Sequence, residues 1–227
     1  MNMSKPHPMA AIRRRHVWLL PIVALAAGLQ ANAQTLPPPQ EVAAQWFKIR
    51  NTFAAQYEAQ QTEDAAFEGN YGVAVRSMGT PTKGAFGGII QASHVADVLR
   101  GGRVAMRAWI RTENAESASL WLRIDAVDRV LALDNMEHRD VSGTTGWSLY
   151  EIVMDVPDDA ATLVYGVFLV GMGRLDVDNV HFLPVPVGTM STTVYEENQL
   201  KPKQGYTPPS IVQAAPANLG FERVPGT

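Results

Sequence analysis

Two tryptophans stand in alternating runs with charged residues near the middle of the sequence, and this pattern is suited to binding sugars. Arg107 and Trp109 belong to the first run, and Trp121, Arg123 and Asp125 belong to the second. Alternate side chains of a β-strand point to the same face, so each run groups its tryptophan with its charged residues. An indole ring covers the apolar face of a sugar, and planar polar groups hold its hydroxyls. If the two strands pair, these five residues form one ligand-binding face.

The same arrangement also has a purely structural interpretation. Tryptophan and arginine side chains on neighbouring strands form cation–π and ionic pairs, and a helix or a tail can cover such a ladder. The sequence leaves both interpretations open.

Residue types for catalysis form no recognisable motif. The chain has no cysteine, which excludes a disulfide framework, a thiolate metal site and a cysteine nucleophile. Beyond residue 33 the histidines are His94, His138 and His181; none lies in a metalloprotease helix, and no G-x-S-x-G turn is present. We therefore expect a protein that is not an enzyme. The formal net charge of −3 gives no reason to expect a nucleic-acid partner.

Period-two alternation predicts that an antiparallel β-sheet positions the tryptophans and arginines. Short alternating runs are separated by glycine, proline and aspartate, which is typical of a sandwich or barrel. Thr162–Val170 is almost wholly apolar, so it is predicted to be a central strand covered on both faces. The other predicted strands are 102–111, 119–125, 129–133, 149–156 and 174–182.

The first 33 residues have the three parts of a secretory signal peptide. Lys5 and the arginines at 13–15 precede an apolar run over 17–29, and an Ala-Asn-Ala site ends at Ala33. This segment holds four of the 19 basic residues and none of the 22 acidic ones, so the remaining 194 residues carry a net charge of −7. We expect cleavage after Ala33 and a secreted or periplasmic bacterial protein. No later segment approaches the length of a membrane span.

The segments on either side of the predicted sheet have different compositions. Apolar residues recur at intervals of four, three, four and four, which predicts an amphipathic helix from Gln40 to Glu58 after a proline linker. The predicted organisation is a linker and helix over 34–66, a sandwich over 67–183 and a proline-rich tail over 184–227. The helix is expected to pack on the sandwich; the alternative is that it binds a partner. The apolar residues of the stripe are Val42, Trp46, Ile49, Phe53 and Tyr57.

Four motifs between Glu68 and Phe182 follow one another in an order and spacing typical of a known fold family. They are W-I-R-T-E at 109–113, L-W-L-R-I-D at 120–125, G-T-T-G-W at 143–147 and V-D-N-V at 177–180. With these motifs the stretch resembles the galactose-binding-domain-like jelly rolls of secreted bacterial proteins, which include carbohydrate-binding modules. The resemblance implies a jelly-roll β-sandwich and a carbohydrate ligand, although a shared fold does not establish a shared function.

One expected motif stands at an unexpected place. Such domains usually open with a strand of the form N-L-x-F-E, which is missing before Tyr71 but occurs at Asn218–Glu222. The tail then either supplies this strand in a permuted arrangement, which we favour, or begins a second domain. The resemblance also implies a structural calcium ion, with Asp178 and Glu222 as side-chain ligands and Glu68 as the fallback. The alternative is an acidic bulge exposed to water.

These observations predict a secreted, non-catalytic carbohydrate-binding module with an all-β, antiparallel jelly-roll fold. Its ligand is expected to be a polysaccharide or an envelope glycan. The alternative, from another class, is a protein-interaction or scaffolding domain of the envelope that docks through the helix or the tail. A divergent hydrolase is a third interpretation. The predicted ligand-binding residues are Arg107, Trp109, Trp121, Arg123 and Asp125.

Overall fold

The computed structural model describes residues 38–196, 200 and 206–226, and these form a β-sandwich. The predicted signal peptide lies outside the described residues. Within them, helical structure is limited to three 3₁₀ turns, at Ala54–Gln56, Glu63–Ala65 and Asp97–Leu99. None of the described helices has the length and apolar character needed to cross a membrane. The strands are β1 (Glu41–Ala43), β2 (Trp46–Lys48), β3 (Tyr57–Thr62), β4 (Gly72–Ser77), β5 (Phe86–His94), β6 (Gly102–Asp125), β7 (Val130–Asp134), β8 (Val141–Val156), β9 (Thr162–Val170), β10 (Arg174–Val185) and β11 (Tyr195–Glu196).

Strand β6 has 24 residues and belongs to both sheets of the sandwich. Its N-terminal half lies between β8 and β10, and β10 continues through β4 to β3. Its C-terminal half lies between β7 and β9, and β9 continues through β5 and β2 to β1. We call these the first sheet and the second sheet. All of these pairings are antiparallel, as the sequence predicts.

The transfer of β6 between the sheets takes place around Asn114. This residue has a φ of +48°, and the pairing with β8 is irregular on both sides of it. The turn between β9 and β10 packs against the same point, because a Cβ atom on Gly173 would lie 2.5 Å from the Cα atom of Ala115. Gly173 itself has a φ of +120°. Both the backbone conformation and the close approach therefore require glycine here.

Alternate residues of β6 fill the core between the two sheets, as the sequence pattern predicts. Every residue of β9 is buried, which confirms it as a central strand covered on both faces. Burial of these apolar side chains is the main favourable term in the stability of the sandwich. The core residues of β6 include Val104, Met106, Ala108, Ile110, Leu120, Leu122 and Ile124, all fully buried.

The predicted amphipathic helix from Gln40 to Glu58 is wrong. This segment forms β1, β2, a 3₁₀ turn and the start of β3, so the sandwich begins at Glu41 rather than at residue 67. The apolar residues at helical spacing are buried by distant partners instead. The indole N–H of Trp46 donates to the carbonyl oxygen of Asn218, and the Tyr57 hydroxyl donates to the carbonyl oxygens of Ala85 and Gly171. Long-range packing therefore overrides the local pattern.

The tail returns to the sandwich, and Asn218–Glu222 packs into it as a turn. The Phe221 side chain is fully buried, with its ring centroid 5.0 Å from that of Trp46. The backbone N–H of Val180 donates to the carbonyl oxygen of Leu219 at 2.9 Å. These contacts agree with the permuted arrangement, but the segment does not form the predicted strand, since Asn218 and Phe221 have φ values of +49° and +54°. The described tail instead adds the two-residue β11, beside β7.

Replacement of the buried tail residue tests how much this turn stabilises the domain. We expect Phe221→Ala to lower the free energy of unfolding by about 3–5 kcal/mol, because it removes a fully buried ring from the core. Urea denaturation measures the change. Val98→Ala, at a side chain that is 80% exposed, is the control and should change stability by less than about 0.5 kcal/mol. A loss below about 1 kcal/mol for Phe221→Ala would show that the tail is not part of the cooperative unit.

Candidate functional site

The two predicted tryptophans do not share a face. The runs that contain them are the two halves of β6 and therefore continue each other instead of pairing side by side. Trp109 lies on the outer face of the first sheet, whereas Trp121 lies on the outer face of the second sheet. The prediction of one binding face for all five residues is thus wrong. Arg107 stays with Trp109, while Arg123 and Asp125 stay with Trp121.

Trp109 lies in an aromatic cluster on the outer face of the first sheet. The ring of Phe67 stacks on it, with centroids 4.0 Å apart and an angle of 15° between the planes. Trp147 meets Phe67 edge-on at 5.6 Å, and the guanidinium of Arg111 lies 5.0 Å from the Trp147 ring centroid. Arg107 bonds to a carboxylate of β8 across the strand pair, at 2.5 Å. This face matches the structural interpretation, a ladder of aromatic, cation–π and ionic contacts.

Asp178 holds the loop that carries Phe67 over Trp109. Its Oδ2 atom accepts hydrogen bonds from the backbone N–H groups of Phe67 and Glu68, at 2.8 and 3.0 Å. Its Oδ1 atom accepts from the N–H of Asn179 at 2.6 Å. Burial raises the pKa of Asp178, and these three bonds oppose the rise. The fallback residue, Glu68, accepts a bond from the side-chain amide of Asn179.

Glu222 holds the other end of the same loop. Its Oε1 atom accepts from the backbone N–H groups of Asn70 and Tyr71 at 2.8 and 3.2 Å, and its Oε2 atom accepts from the Asn70 side chain. Gly69 is required beside this carboxylate, because it has a φ of +76° and a Cβ atom there would lie 2.2 Å from Oε1. Glu222 of the tail and Asp178 of β10 therefore hold the loop over residues 67–71 from both ends. We call these two carboxylates and their hydrogen bonds the clamp.

The N–H groups that surround the carboxylates of Asp178 and Glu222 are not the neighbours expected in a calcium site. Calcium takes six to eight oxygen ligands, whereas these carboxylate oxygens receive backbone N–H groups. The described part of the chain also contains no group of three or more histidine or acidic side chains arranged to hold a metal ion. The structural calcium therefore stays a prediction that no contact supports.

The clamp makes a prediction about acid stability. Burial raises the pKa of Glu222, but the N–H bonds from Asn70 and Tyr71 outweigh it and hold the pKa below its ordinary value of 4.5. The stabilisation is therefore present above pH 4.5 and is lost as the pH falls through the lowered pKa. We expect Glu222→Gln to cost about 1 kcal/mol at pH 7 and to flatten the loss of stability below pH 5.

Urea denaturation between pH 7 and pH 3 measures this pH dependence. Glu113→Gln, an exposed carboxylate of β6, is the control and should keep the wild-type profile. If the free energy of unfolding of Glu222→Gln depended on pH in the same way as that of the wild type, Glu222 would not stabilise the loop as described.

The outer face of the second sheet forms a groove of about 370 Å³. Its floor is built by β2, β5, β9 and the C-terminal half of β6, and residues of the tail form one wall. Trp121 lies at the floor and is only 2% exposed, in a small apolar cluster separate from the main core. The lining residues are Pro39, Phe47, Lys48, Ile49, Arg50, Asn51, Thr52, Phe53, Phe86, Ile90, Gln91, Ala92, Trp121, Arg123, Val164, Thr207, Pro208, Pro209, Ser210 and Ile211.

The tail wall of the groove is fixed at both ends. We call residues 206–213 the strap. At its start, the Tyr206 hydroxyl donates to Oδ2 of Asp125 at 3.0 Å. At its end, the N–H of Gln213 donates to the carbonyl oxygen of Ala92 at 2.8 Å, and the N–H of His94 donates back to Gln213 at 2.9 Å. The groove is therefore a built feature of the domain.

Asp125 supports the groove from below but does not line it. Its carboxylate is fully buried, and Oδ2 lies 2.7 Å from a guanidinium nitrogen of Arg123. Burial raises the pKa of Asp125, while the charge of Arg123 and the hydrogen bonds from Arg123 and Tyr206 oppose the rise. Asp125 thus positions Arg123 and the strap. This is a different role from the ligand contact that the sequence predicted.

On β6, two N–H donors of the groove lining have no hydrogen-bond partner in the described residues. They are the indole nitrogen Nε1 of Trp121 and the Nε atom of Arg123, and both atoms are buried. A buried donor without an acceptor costs about 1–3 kcal/mol, so such groups in native structures call for an explanation.

Aromatic side chains supply the apolar part of the groove. Phe53 and Phe86 are half-buried, with ring centroids 6.2 Å apart and tilted planes. Neither these two residues nor Lys48 is among the site residues predicted from the sequence. No local signal identifies them, because the pairing of β2 with β5 and the docking of the tail bring them to Trp121.

The strap can be tested at Tyr206. We expect Tyr206→Phe to speed amide hydrogen exchange at Ser210–Gln213 and to cost about 1 kcal/mol, because the buried Asp125 loses a donor. Exchange measured by mass spectrometry and urea denaturation give the two quantities. Tyr195→Phe is the matched control, since Tyr195 donates to Glu137 away from the groove. Tyr195→Phe should leave amide exchange in the strap unchanged. If it speeded this exchange as much as Tyr206→Phe does, the anchoring role of Tyr206 would be contradicted.

No known family model matches the chain. A curated relative is an uncharacterised HTH-type transcriptional regulator, YbfP, from Bacillus subtilis, with 37% identity over 129 residues. That match covers 56% of this chain, and the chain spans 40% of the length of the relative.

Several solved structures similar to this one are carbohydrate-binding modules. A family 16 carbohydrate-binding module has a TM-score of 0.42 and 16% identity, over 56% of this chain and 86% of the module. The module TmCBM61, solved with β-1,4-galactotriose, has a TM-score of 0.45 and 12% identity, over 63% and 91% of the two chains. A tailspike domain of bacteriophage CBA120 has a TM-score of 0.49 and 15% identity, over 62% of this chain and 19% of its own. These likenesses concern the fold alone.

Proposed function

We propose that this protein is a glycan-binding module and that its ligand occupies the groove on the outer face of the second sheet. The observation that carries this proposal is that buried N–H donors of the groove lining, including those of Trp121 and Arg123, have no acceptor within the described residues. Hydroxyl and ring oxygens of a sugar are acceptors of the required kind.

The size and lining of the groove support the same ligand class. Pockets for small ligands typically have volumes of about 300–1,000 Å³ and combine apolar walls with a few polar groups. The groove, at about 370 Å³, has that composition. Phe53 and Phe86 offer aromatic surface for the C–H face of a sugar ring, while Trp121 contributes its N–H rather than a stacking surface because its ring is covered.

Binding without catalysis is part of the proposal. Hydrolysis of a glycosidic bond by the usual mechanism needs two carboxyl groups that flank the bond. The described residues that line the groove include no aspartate or glutamate. Secretion rests on the predicted signal peptide and is proposed together with the binding function.

The alternative function, a protein-interaction or scaffolding domain, was based on docking through the predicted helix or the proline-rich tail. The helix that was to dock a partner is β1, β2 and a turn within the sandwich. The prolines of the tail, Pro208 and Pro209, form part of the groove wall. We therefore propose no second function.

The test is a binding titration with a panel of soluble neutral and acidic polysaccharides, followed by isothermal calorimetry. We expect at least one polysaccharide to bind, and Trp121→Phe to weaken it about three- to tenfold, because an aromatic ring remains but the pyrrole part of the indole and its N–H donor are lost. Trp109→Phe is the matched control on the other sheet and should bind like the wild type.

Two outcomes would overturn the proposal. One is the absence of binding across the panel by protein that circular dichroism shows to be folded. The other is a loss confined to Trp109→Phe, which would move the site to the aromatic cluster of the first sheet.

A further inference from the structure

The charged residues of the groove are all basic. Lys48, Arg50 and Arg123 line it, and the lining residues include no acidic side chain. The chain as a whole has the opposite balance, with 22 acidic and 19 basic residues. A concave site of one charge on a protein of the other concentrates ligands of opposite charge.

The side-chain amide oxygens of the groove already accept hydrogen bonds from the protein. Oδ1 of Asn51 accepts a bond from the N–H of Phe53 at 2.9 Å. Oε1 of Gln91 accepts from the Tyr165 hydroxyl at 2.5 Å and also from a backbone N–H of the tail. The N–H groups of Trp121 and Arg123, by contrast, are donors at the floor that no acceptor of the described residues engages. A neutral sugar presents hydroxyls that both donate and accept, whereas a donor-rich floor favours a ligand richer in acceptors.

Lys48 is the cation that such a ligand would meet on β2, three strands away from Trp121 in the second sheet. Burial lowers the pKa of its ammonium group, and the charge of Glu58 opposes this effect. A partly buried ammonium is stabilised by an anion placed next to it. Arg123, by contrast, already carries Asp125 as its ionic partner at 2.7 Å.

We propose that the groove selects acidic glycans, in which the sugar units carry carboxylate groups. This inference rests on the proposed function and names its ligand class. The carboxylate pairs with Lys48 and Arg50 at the edge of the groove, and the sugar oxygens accept from Trp121 and Arg123.

The experiment compares polygalacturonate with its methyl ester, which has the same sugar backbone without the charge. We expect the purified protein to bind polygalacturonate at least about tenfold more tightly than the ester, measured by calorimetry at low salt. The difference should shrink at high salt, because screening weakens attraction between partly exposed charges.

A charge variant and a matched control locate the effect. Lys48→Gln should weaken polygalacturonate binding about fivefold and leave the ester unaffected. Lys83→Gln removes the same charge from an exposed loop outside the groove lining, and it should bind both polymers like the wild type. Circular dichroism establishes that both variants are folded.

The possible results separate this inference from the proposed function. If the ester or another neutral glycan binds as tightly, with the loss in Trp121→Phe retained, the selection for acidic glycans is wrong and glycan binding stands. If polyglutamate binds as tightly as polygalacturonate, charge alone governs binding and the inference is also wrong. If no polysaccharide binds, the proposed function itself fails.

Discussion

The structure depends on β6, a long strand that belongs to both sheets. A run of 24 residues is longer than one face of a small sandwich, so the chain must leave one sheet and enter the other. The change at Asn114 and the close approach of Gly173 fix where this happens. Because the apolar residues of both halves point into the same core, their alternate residues point outward on opposite sides of the molecule. The separation of Trp109 from Trp121 follows directly.

The tail links the two outer faces. Its final turn places Phe221 in the core and Glu222 on the loop that covers Trp109, while the strap forms a wall of the groove above Trp121. The same segment thus closes an aromatic cluster on one side and helps to build an open groove on the other. On the proposed function, a ligand in the groove would contact both the sheet and the strap, so its binding would be coupled to the packing of the tail.

Much of the fold follows from the sequence, because alternation within a strand is a local property. Alternation identified the inward-facing residues of β6, and the almost wholly apolar run Thr162–Val170 identified the central strand. Which strands pair depends on contacts distant in sequence, so the two halves of β6 were placed side by side. The short strands before Tyr57 were predicted as a helix because their apolar residues happen to fall at helical spacing. Of the groove residues, only Trp121 and Arg123 could be selected, since pairing and the tail bring the rest together.

The most direct test of the glycan-binding groove is hydrogen exchange of the whole protein with and without saturating polysaccharide. Polygalacturonate is the first probe, and its methyl ester is the neutral counterpart. If the polysaccharide binds in the groove, amide exchange should slow at residues 47–53 and 210–213 and change little at residues 67–71. Slower exchange confined to residues 67–71 and to the β8 residues beside Trp147, or no change with either polymer, would contradict a glycan-binding groove on the second sheet.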